Sequence, residues 1–175
     1  MGDPLGAVGS IVGIAAFGLK FATTLQTYIE AVADAEESLR EIALDVSETA
    51  SALKQLEDYM KPDQSGQTIA NDSGVEDVAR LASQCEKVYT VIIYIIAKAV
   101  GVPKDDNGKV TLDALDLHSL DAPSRMRKLI WPLREYRIRK HREELRWLKF
   151  SLLFRLGLME LAKNKKMFVL HITLS

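Results

Sequence analysis

The apolar residues of the chain recur at alternating steps of three and four in four stretches, which is the spacing of one helix face. The clearest stretch has a heptad-like seam that consists of Leu39, Ile42, Val46, Thr49, Leu53, Leu56 and Met60. No stretch alternates convincingly between apolar and polar residues and then reaches a hairpin turn. The pattern therefore predicts an all-α fold, a four- to five-helix bundle with a glycine-rich apolar N-terminal helix.

A further helix is predicted over residues 78–99, with a block at 91–96 that is apolar on every side. Such a block is typical of the centre of a bundle. Proline, glycine and small polar residues at 61–74 predict a surface loop that ends one helix and caps the next. A longer loop is predicted at 101–121, where little periodicity is left.

The last helix is predicted to begin after Pro123 and to carry one apolar stripe. The stripe consists of Ile138, Leu145, Leu148, Leu152, Leu156 and Met159. Pro132 is expected to kink or restart this helix, because proline has no amide donor and disfavours helical geometry at Trp131. We expect one domain over 1–165 and a tail over 166–175, which is a short strand, a hydrophobic extension or a cut end of a longer chain.

The N-terminal helix carries no charge between Asp3 and Lys20. Asp3 and Pro4 suit an N-cap and a first helical turn. The apolar stretch after them could cross a bilayer core of about 30 Å, although a charge-free run of this length is more often a buried core helix. The candidate membrane-inserting residues are Leu5, Val8, Ile11, Val12, Ile14, Phe17 and Leu19.

Four glycines in this helix need a reason, because each costs roughly 1 kcal/mol of helix propensity relative to alanine. They are Gly6, Gly9, Gly13 and Gly18. Gly9 and Gly13 have the Gly-x-x-x-Gly spacing, which allows close helix approach in membranes and in water-soluble bundles alike. Close packing is therefore the predicted role of these glycines.

Charge is uneven along a chain whose formal net charge is only −1. Residues 30–58 hold nine acidic and two basic side chains, whereas residues 125–149 hold ten basic and three acidic ones. The charged residues expected on the solvated side of the second helix are Glu36, Glu37, Arg40, Glu41, Asp45, Glu48, Lys54 and Glu57. The predicted basic patch consists of Arg125, Arg127, Lys128, Arg134, Arg137, Arg139, Lys140 and Arg142.

The two charged regions have three interpretations. The favoured one is that they face each other or solvent within the bundle. A basic cluster beside an apolar segment would also suit an anionic membrane surface. Nucleic acid is the least favoured partner, because no binding motif is present and Trp131 and Trp147 are expected to anchor the core.

No enzyme signature is found in the sequence. The three histidines are scattered, and His141 with Glu144 lacks the further ligands of a metal site. No Walker loop or nucleophile elbow is present, so neither a cofactor nor a small-molecule substrate is expected. Cys85 is the only cysteine, so an intrachain disulfide is impossible. The residues before the first apolar stretch lack the basic region of a signal peptide, so no secretion signal is expected. A cytoplasmic, non-enzymatic protein is predicted.

Several motifs resemble a fungal family. The opening residues 1–15, then Val-Ala-Asp-Ala at 32–35, Leu-Arg-Glu-Ile at 39–42 and Leu-Lys-Gln-Leu at 53–56, are similar to the N-terminal domain of STAND-type receptors. The second half resembles the Trp-Pro helix of that family. Its matching residues, all expected in the core, are Trp131, Pro132, Leu145, Leu148 and Leu152.

The resemblance implies a HeLo-like cell-death domain, the output end of a fungal immune or incompatibility response. In such domains the N-terminal apolar helix inserts into membranes after oligomerisation, and here residues 5–19 would be that segment. The expected partners are further copies of the chain or other helical domains. An anionic membrane is a further expected partner, and activation would place the protein at the periphery of the plasma membrane. The alternative is a scaffolding interaction module of a larger receptor that has no membrane activity.

Overall fold

The computed structural model describes residues 4–31, 37–61, 71–100, 102, 110–112, 114–115 and 131–173. These residues form four α-helices, α1 (Pro4–Ala31), α2 (Glu37–Met60), α3 (Asp72–Val100) and α4 (Trp131–Thr173). No strand occurs within the described ranges. The predicted all-α bundle with an apolar, glycine-containing first helix is confirmed.

The four described helices lie at the corners of a rhomb, in which α2 and α3 also contact each other along the short diagonal. Both α1 and α4 pack against α2 and α3, whereas the described residues of α1 and α4 do not contact each other. Helices α2 and α4 run parallel, because the contacts Glu41–Arg142, Glu48–Lys149 and Tyr59–Glu160 each join residues 101 positions apart. Consequently α1 and α4 lie at opposite corners, and each has an outward face of its own.

The core lies where the predicted apolar faces meet. All seven seam residues of α2 and all six stripe residues of α4 are buried. In α3 the residues at 78, 81, 85, 88, 92 and 95 are buried as well. The expectation for the block at 91–96 was wrong in one respect, because Val91 and Tyr94 are exposed.

The connection before α3 is capped as its composition predicts. The Asn71 side-chain oxygen accepts a hydrogen bond from the Gly74 amide at 2.8 Å, and the Asn71 carbonyl accepts one from the Val75 amide at 3.1 Å. In the predicted loop at 101–121, the described residues include a turn in which the Ala114 amide donates to the Thr111 carbonyl.

That turn contributes apolar side chains to the core, although the weak apolar periodicity of the segment had indicated only a surface loop. Leu112 and Leu115 are buried in the main apolar cluster, and Val110 packs against it. The segment is therefore more than a surface connection.

Helix α4 is much longer than the others, because 43 residues span about 65 Å, against about 36–44 Å for helices of 24–29 residues. The described side chains at 161–165 are all exposed, so α4 projects past the end of the core. It continues to Thr173. The short-strand interpretation of the tail is therefore wrong, and the expected boundary at 165 falls inside α4.

Pro132 lies in the first turn of α4, where its missing amide hydrogen leaves no hydrogen bond unmade. Whether Pro132 kinks or restarts the helix stays a prediction, because the residues directly before Trp131 lie outside the described ones. The expected helical segment between Pro123 and Trp131 lies outside the described residues.

Candidate functional surfaces

Helix α1 uses one face to build the core. Ile11 and Ile14 of the predicted membrane-inserting set are buried, as are Phe21 and Leu25 further along the helix. Val8 and Phe17 are half-buried against the same core, while Val12 and Leu19 are 37% and 36% exposed. The side chain of Leu5 lies outside the described ones. The set is therefore divided between the core and the outer surface of α1.

The same helix is long and apolar enough to cross a membrane. The stretch Gly6–Thr27 meets the requirements of length and composition, and 39% of its most apolar window is buried inside the bundle. A core helix of a water-soluble protein passes the same test, so the finding is weak evidence taken alone.

Of the α1 glycines whose surroundings the structure describes, Gly18 alone is explained by close packing inside the chain. An added β-carbon there would lie 2.8 Å from both the Ala50 β-carbon and the Tyr89 ring. At Gly9 and Gly13 an added β-carbon would meet nothing within 4 Å. Close packing within the bundle therefore does not account for these two, because the Gly-x-x-x-Gly pair faces outward, and Gly6 is exposed as well. Close approach to another helix at Gly9 and Gly13 stays a prediction.

Tyr89 fixes the meeting point of α1 and α3. Its ring centroid lies 6.4 Å from those of both Phe17 and Phe21. Burial raises the pKa of the Tyr89 hydroxyl and raises the pKa of the nearby Cys85 thiol to about 12. Cys85 is completely buried, so the thiol is held in its protonated, unreactive form.

The acidic and basic regions meet between α2 and α4. Asp45 is only 5% exposed, and its carboxylate lies 3.2 Å from Arg142 Nε, 3.4 Å from Arg146 Nε and 3.8 Å from Lys149 Nζ. The outer carboxylates extend this cluster, since Glu41 pairs with Arg142 and Glu48 with Lys149. The two regions therefore neutralise each other at a helix interface, at least where they are described.

Two expectations about charged residues were wrong. Asp45 and Glu57 were expected on the solvated side of α2, and both are buried. Glu57 binds Lys54 Nζ at 2.8 Å and Lys61 Nζ at 2.7 Å, and these hydrogen bonds hold the pKa of its carboxyl below the usual range. An inward-facing carboxylate is tolerated because basic side chains pair with it.

The predicted basic patch does not form one free surface. Arg142 is buried in the ion cluster, while Arg137, Arg139 and Lys140 are exposed on the first turns of α4. The side chain of Arg134 is outside the described ones. Arg125, Arg127 and Lys128 lie outside the described residues altogether.

The family-motif residues on α4 are in the core where they are described. Leu145, Leu148 and Leu152 are buried, while the side chains of Trp131 and Pro132 are not among those described. Trp147 contradicts its prediction, because it is 72% exposed and anchors nothing in the described core.

Trp147 belongs to a second apolar stripe on α4, which we call the outer face. Its members are Trp147, Phe150, Leu153, Phe154, Leu158 and Leu161, and each is between 45% and 72% exposed. Five of them lie within a sector of about 80° directly opposite the buried Leu145, with Leu153 at one edge. Trp147 and Phe150 contact each other edge to face at a centroid distance of 6.3 Å. The sequence carried the signal, since 147, 150, 154, 158 and 161 have helical spacing of their own.

Gly157 interrupts the same face. An added β-carbon at this position would meet nothing within 4 Å, so no packing inside the chain requires glycine here. Glycine costs about 1 kcal/mol of helix propensity relative to alanine. The residue leaves a notch beside the large side chains of the outer face.

Within the described residues no group of three or more histidine, cysteine or acidic side chains could hold a metal ion. His141 Nδ1 lies 3.3 Å from Glu144, as their spacing on one helix allows. Comparisons with protein-family models, curated proteins and solved structures found no match.

Proposed function

We propose that this chain is a non-enzymatic module that acts by self-assembly, with the outer face of α4 as the contact surface. The observation that carries the proposal is the size of this exposed apolar face. At about 200 Å² for a fully exposed large side chain, the six residues present about 700 Å². The largest apolar patch on a typical monomer is about 300–600 Å², and larger ones mark interaction sites.

Assembly of this kind is supported by the position of the face. It points away from the core, so a partner can cover it while α1, α2 and α3 stay packed. A contact of about 700 Å² on each side is close to the roughly 800 Å² per partner of a standard protein interface.

The test is to measure the molar mass of the protein in solution at concentrations from about 1 to 100 μM. An interface of this size can be as weak as micromolar, so a weak dimer would change from monomer to dimer across this range. We expect the wild type to self-associate, and Phe150→Glu with Phe154→Glu to remain monomeric with an unchanged helical content. Leu44→Glu is the matched control, because Leu44 is also apolar and 56% exposed but lies on α2. A monomeric wild type, or association that survives the double substitution, would overturn the proposal.

Membrane permeabilisation by α1 is the second candidate, supported by the apolar stretch Gly6–Thr27 and by the outward-facing glycines Gly9 and Gly13. The test is dye leakage from anionic vesicles. Gly13→Glu is the test variant, because an added β-carbon there meets nothing within 4 Å and we therefore expect the bundle to stay folded. Gln26→Glu is the control on an exposed polar position of the same helix. Leakage abolished only by Gly13→Glu would support insertion, and equal leakage from all three proteins would refute it.

The biological setting that we propose rests on the sequence resemblance. A HeLo-like N-terminal domain of a fungal STAND receptor would use self-assembly to start a cytoplasmic immune or incompatibility response. The order of the sequence motifs supports this setting, and so does the combination of a helical bundle with an apolar first helix. A scaffold that joins helical partners without touching lipid has the same surface requirements, and the leakage test separates the two.

A further inference from the structure

We infer that the occupant of the outer face is a second copy of this chain whose α4 lies antiparallel to the first, with Trp147 beside the partner's Gly157. This inference rests on the proposed function, because it specifies the geometry of the self-assembly. It is drawn from the spacing, size and charge of the residues on the face.

The spacing of the outer face is that of a helix pair. Trp147, Phe154 and Leu161 are seven residues apart, and Phe150 and Gly157 occupy the intervening positions at the other side of the seam. These are the a and d positions of a heptad repeat, whose residues interlock with those of a second helix. The face therefore suits a long helix better than a globular surface.

The sizes along the seam select the antiparallel direction. In a parallel pair each residue shares a layer with its own copy, so two tryptophans would crowd one layer and two glycines would leave another empty. In an antiparallel pair with Trp147 beside the partner's Gly157, each tryptophan ring shares its layer with the notch at a glycine. The same register places Phe150 beside the partner's Phe154. Pairing large residues with small ones fills a helix interface without voids or strain.

The charges beside the seam agree with this register. Arg146 and Glu160 lie on the Leu153 side, with the Arg146 side chain 53% exposed. An antiparallel pair centred near residue 152 brings Arg146 towards the partner's Glu160, and the two-fold axis repeats the contact. Each is also engaged within its own bundle, Arg146 with Asp45 and Glu160 with Tyr59. The contact therefore contributes direction more than affinity.

Chemical cross-linking tests the direction. In the antiparallel pair residue 143 lies beside the partner's residue 161, whereas each position is about 27 Å from its own copy. A thiol cross-linker matching the separation of packed helices, about 8–10 Å, should therefore join Glu143→Cys to Leu161→Cys in a mixture. It should join neither variant to itself. The wild type is the control for background, because Cys85 is buried and its thiol pKa is raised to about 12.

A double-substitution cycle tests the contact at the notch. Trp147 and Gly157 are ten residues apart, about 15 Å along one helix, and cannot touch within a chain. We expect Trp147→Ala to weaken association about thirty-fold or more, as loss of an interface hot spot does. Gly157→Leu should weaken it about ten-fold in the wild type, by overpacking. In the Trp147→Ala background Gly157→Leu should have less than about a two-fold effect, since the ring it would displace is gone.

The outcomes separate the inference from the proposed function. If the wild type associates but each cysteine variant links to itself and not to the other, the pair is parallel and this inference is overturned, while self-assembly stands. Independent effects of Trp147→Ala and Gly157→Leu would overturn the notch contact alone. A protein that stays monomeric, but binds anionic vesicles through the outer face, would overturn both and assign the face to a lipid surface.

Discussion

The same chemical change at two positions of α1 should have opposite effects on stability. Gly13→Ala places a methyl group in open space, so only the gain in helix propensity remains, about 0.8–1 kcal/mol. Gly18→Ala has the same propensity gain, but its methyl group would lie 2.8 Å from the Ala50 β-carbon and from the Tyr89 ring.

The contact at Gly18 is too short to be absorbed without movement. Carbon atoms are best separated by about 3.5–4.0 Å, so the neighbours must withdraw by several tenths of an ångström. Ala50 has no side-chain torsion through which to move away, and the Tyr89 ring is fully buried. Overpacking of this kind costs about 1–3 kcal/mol, which leaves Gly18→Ala destabilising by about 1 kcal/mol after the propensity gain.

The assay is chemical denaturation followed by circular dichroism, with thermal unfolding beside it. In a chain of 175 residues, 1 kcal/mol corresponds to a shift of about 2–4 °C in the midpoint. Gly13→Ala should raise the midpoint by this amount, and Gly18→Ala should lower it by a similar amount. Shifts of the same sign in both variants would refute the packing of α1 against α2 and α3.

Three further predictions concern groups inside the bundle. Asp45→Ala should lower the free energy of unfolding by about 3 kcal/mol, because it leaves Arg142 with only the half-exposed Glu41 as its partner. The double variant Asp45→Leu with Arg142→Met removes both charges and should lower it far less. Urea denaturation measures both, and a double variant whose loss equals the sum of the single losses would contradict this. The pKa of Glu57 is lowered by Lys54 and Lys61, so its stabilising effect is present above pH 4.5, the ordinary value, and disappears as the pH falls through the lowered pKa. Glu57→Gln should therefore destabilise at pH 7 and lose that effect in acid, which pH-dependent denaturation would measure. Thiol labelling of Cys85 at pH 8 should occur only on unfolding, because burial raises its pKa to about 12; rapid labelling of the folded protein would contradict the core.

The sequence predicted the inner faces of the helices because helical spacing is a local property. A run such as Leu145, Leu148 and Leu152 selects the same face whichever helix packs against it. The burial of Asp45 could not be predicted in this way, because it depends on the register that places Arg142 beside α2. From the sequence alone Asp45 is assigned to solvent, because its partner Arg142 lies 97 residues away.

The outer surfaces were predicted least well, for the same physical reason. Trp147 was assigned to the core because large aromatic residues are usually buried, and no local pattern says which of two apolar faces is covered. The outward position of Gly9 and Gly13 likewise depends on where α2 and α3 lie. Two apolar stripes on one helix, offset by half a turn, are nevertheless visible in the sequence and indicate a helix with two partners.

Self-association through α4 and membrane insertion of α1 differ in what each costs the packing of the bundle. Pairing through α4 leaves the core intact, so it is available to the folded protein at no cost in internal packing. Release of α1 would expose Ile11, Phe21 and Leu25, which are almost completely buried and each contribute about 1.5–3 kcal/mol. The total approaches the 5–15 kcal/mol of a typical domain, so α1 cannot leave unless a membrane replaces the lost contacts. We therefore expect assembly through α4 to precede any insertion, and substitutions on the outer face to abolish vesicle leakage as well as self-association.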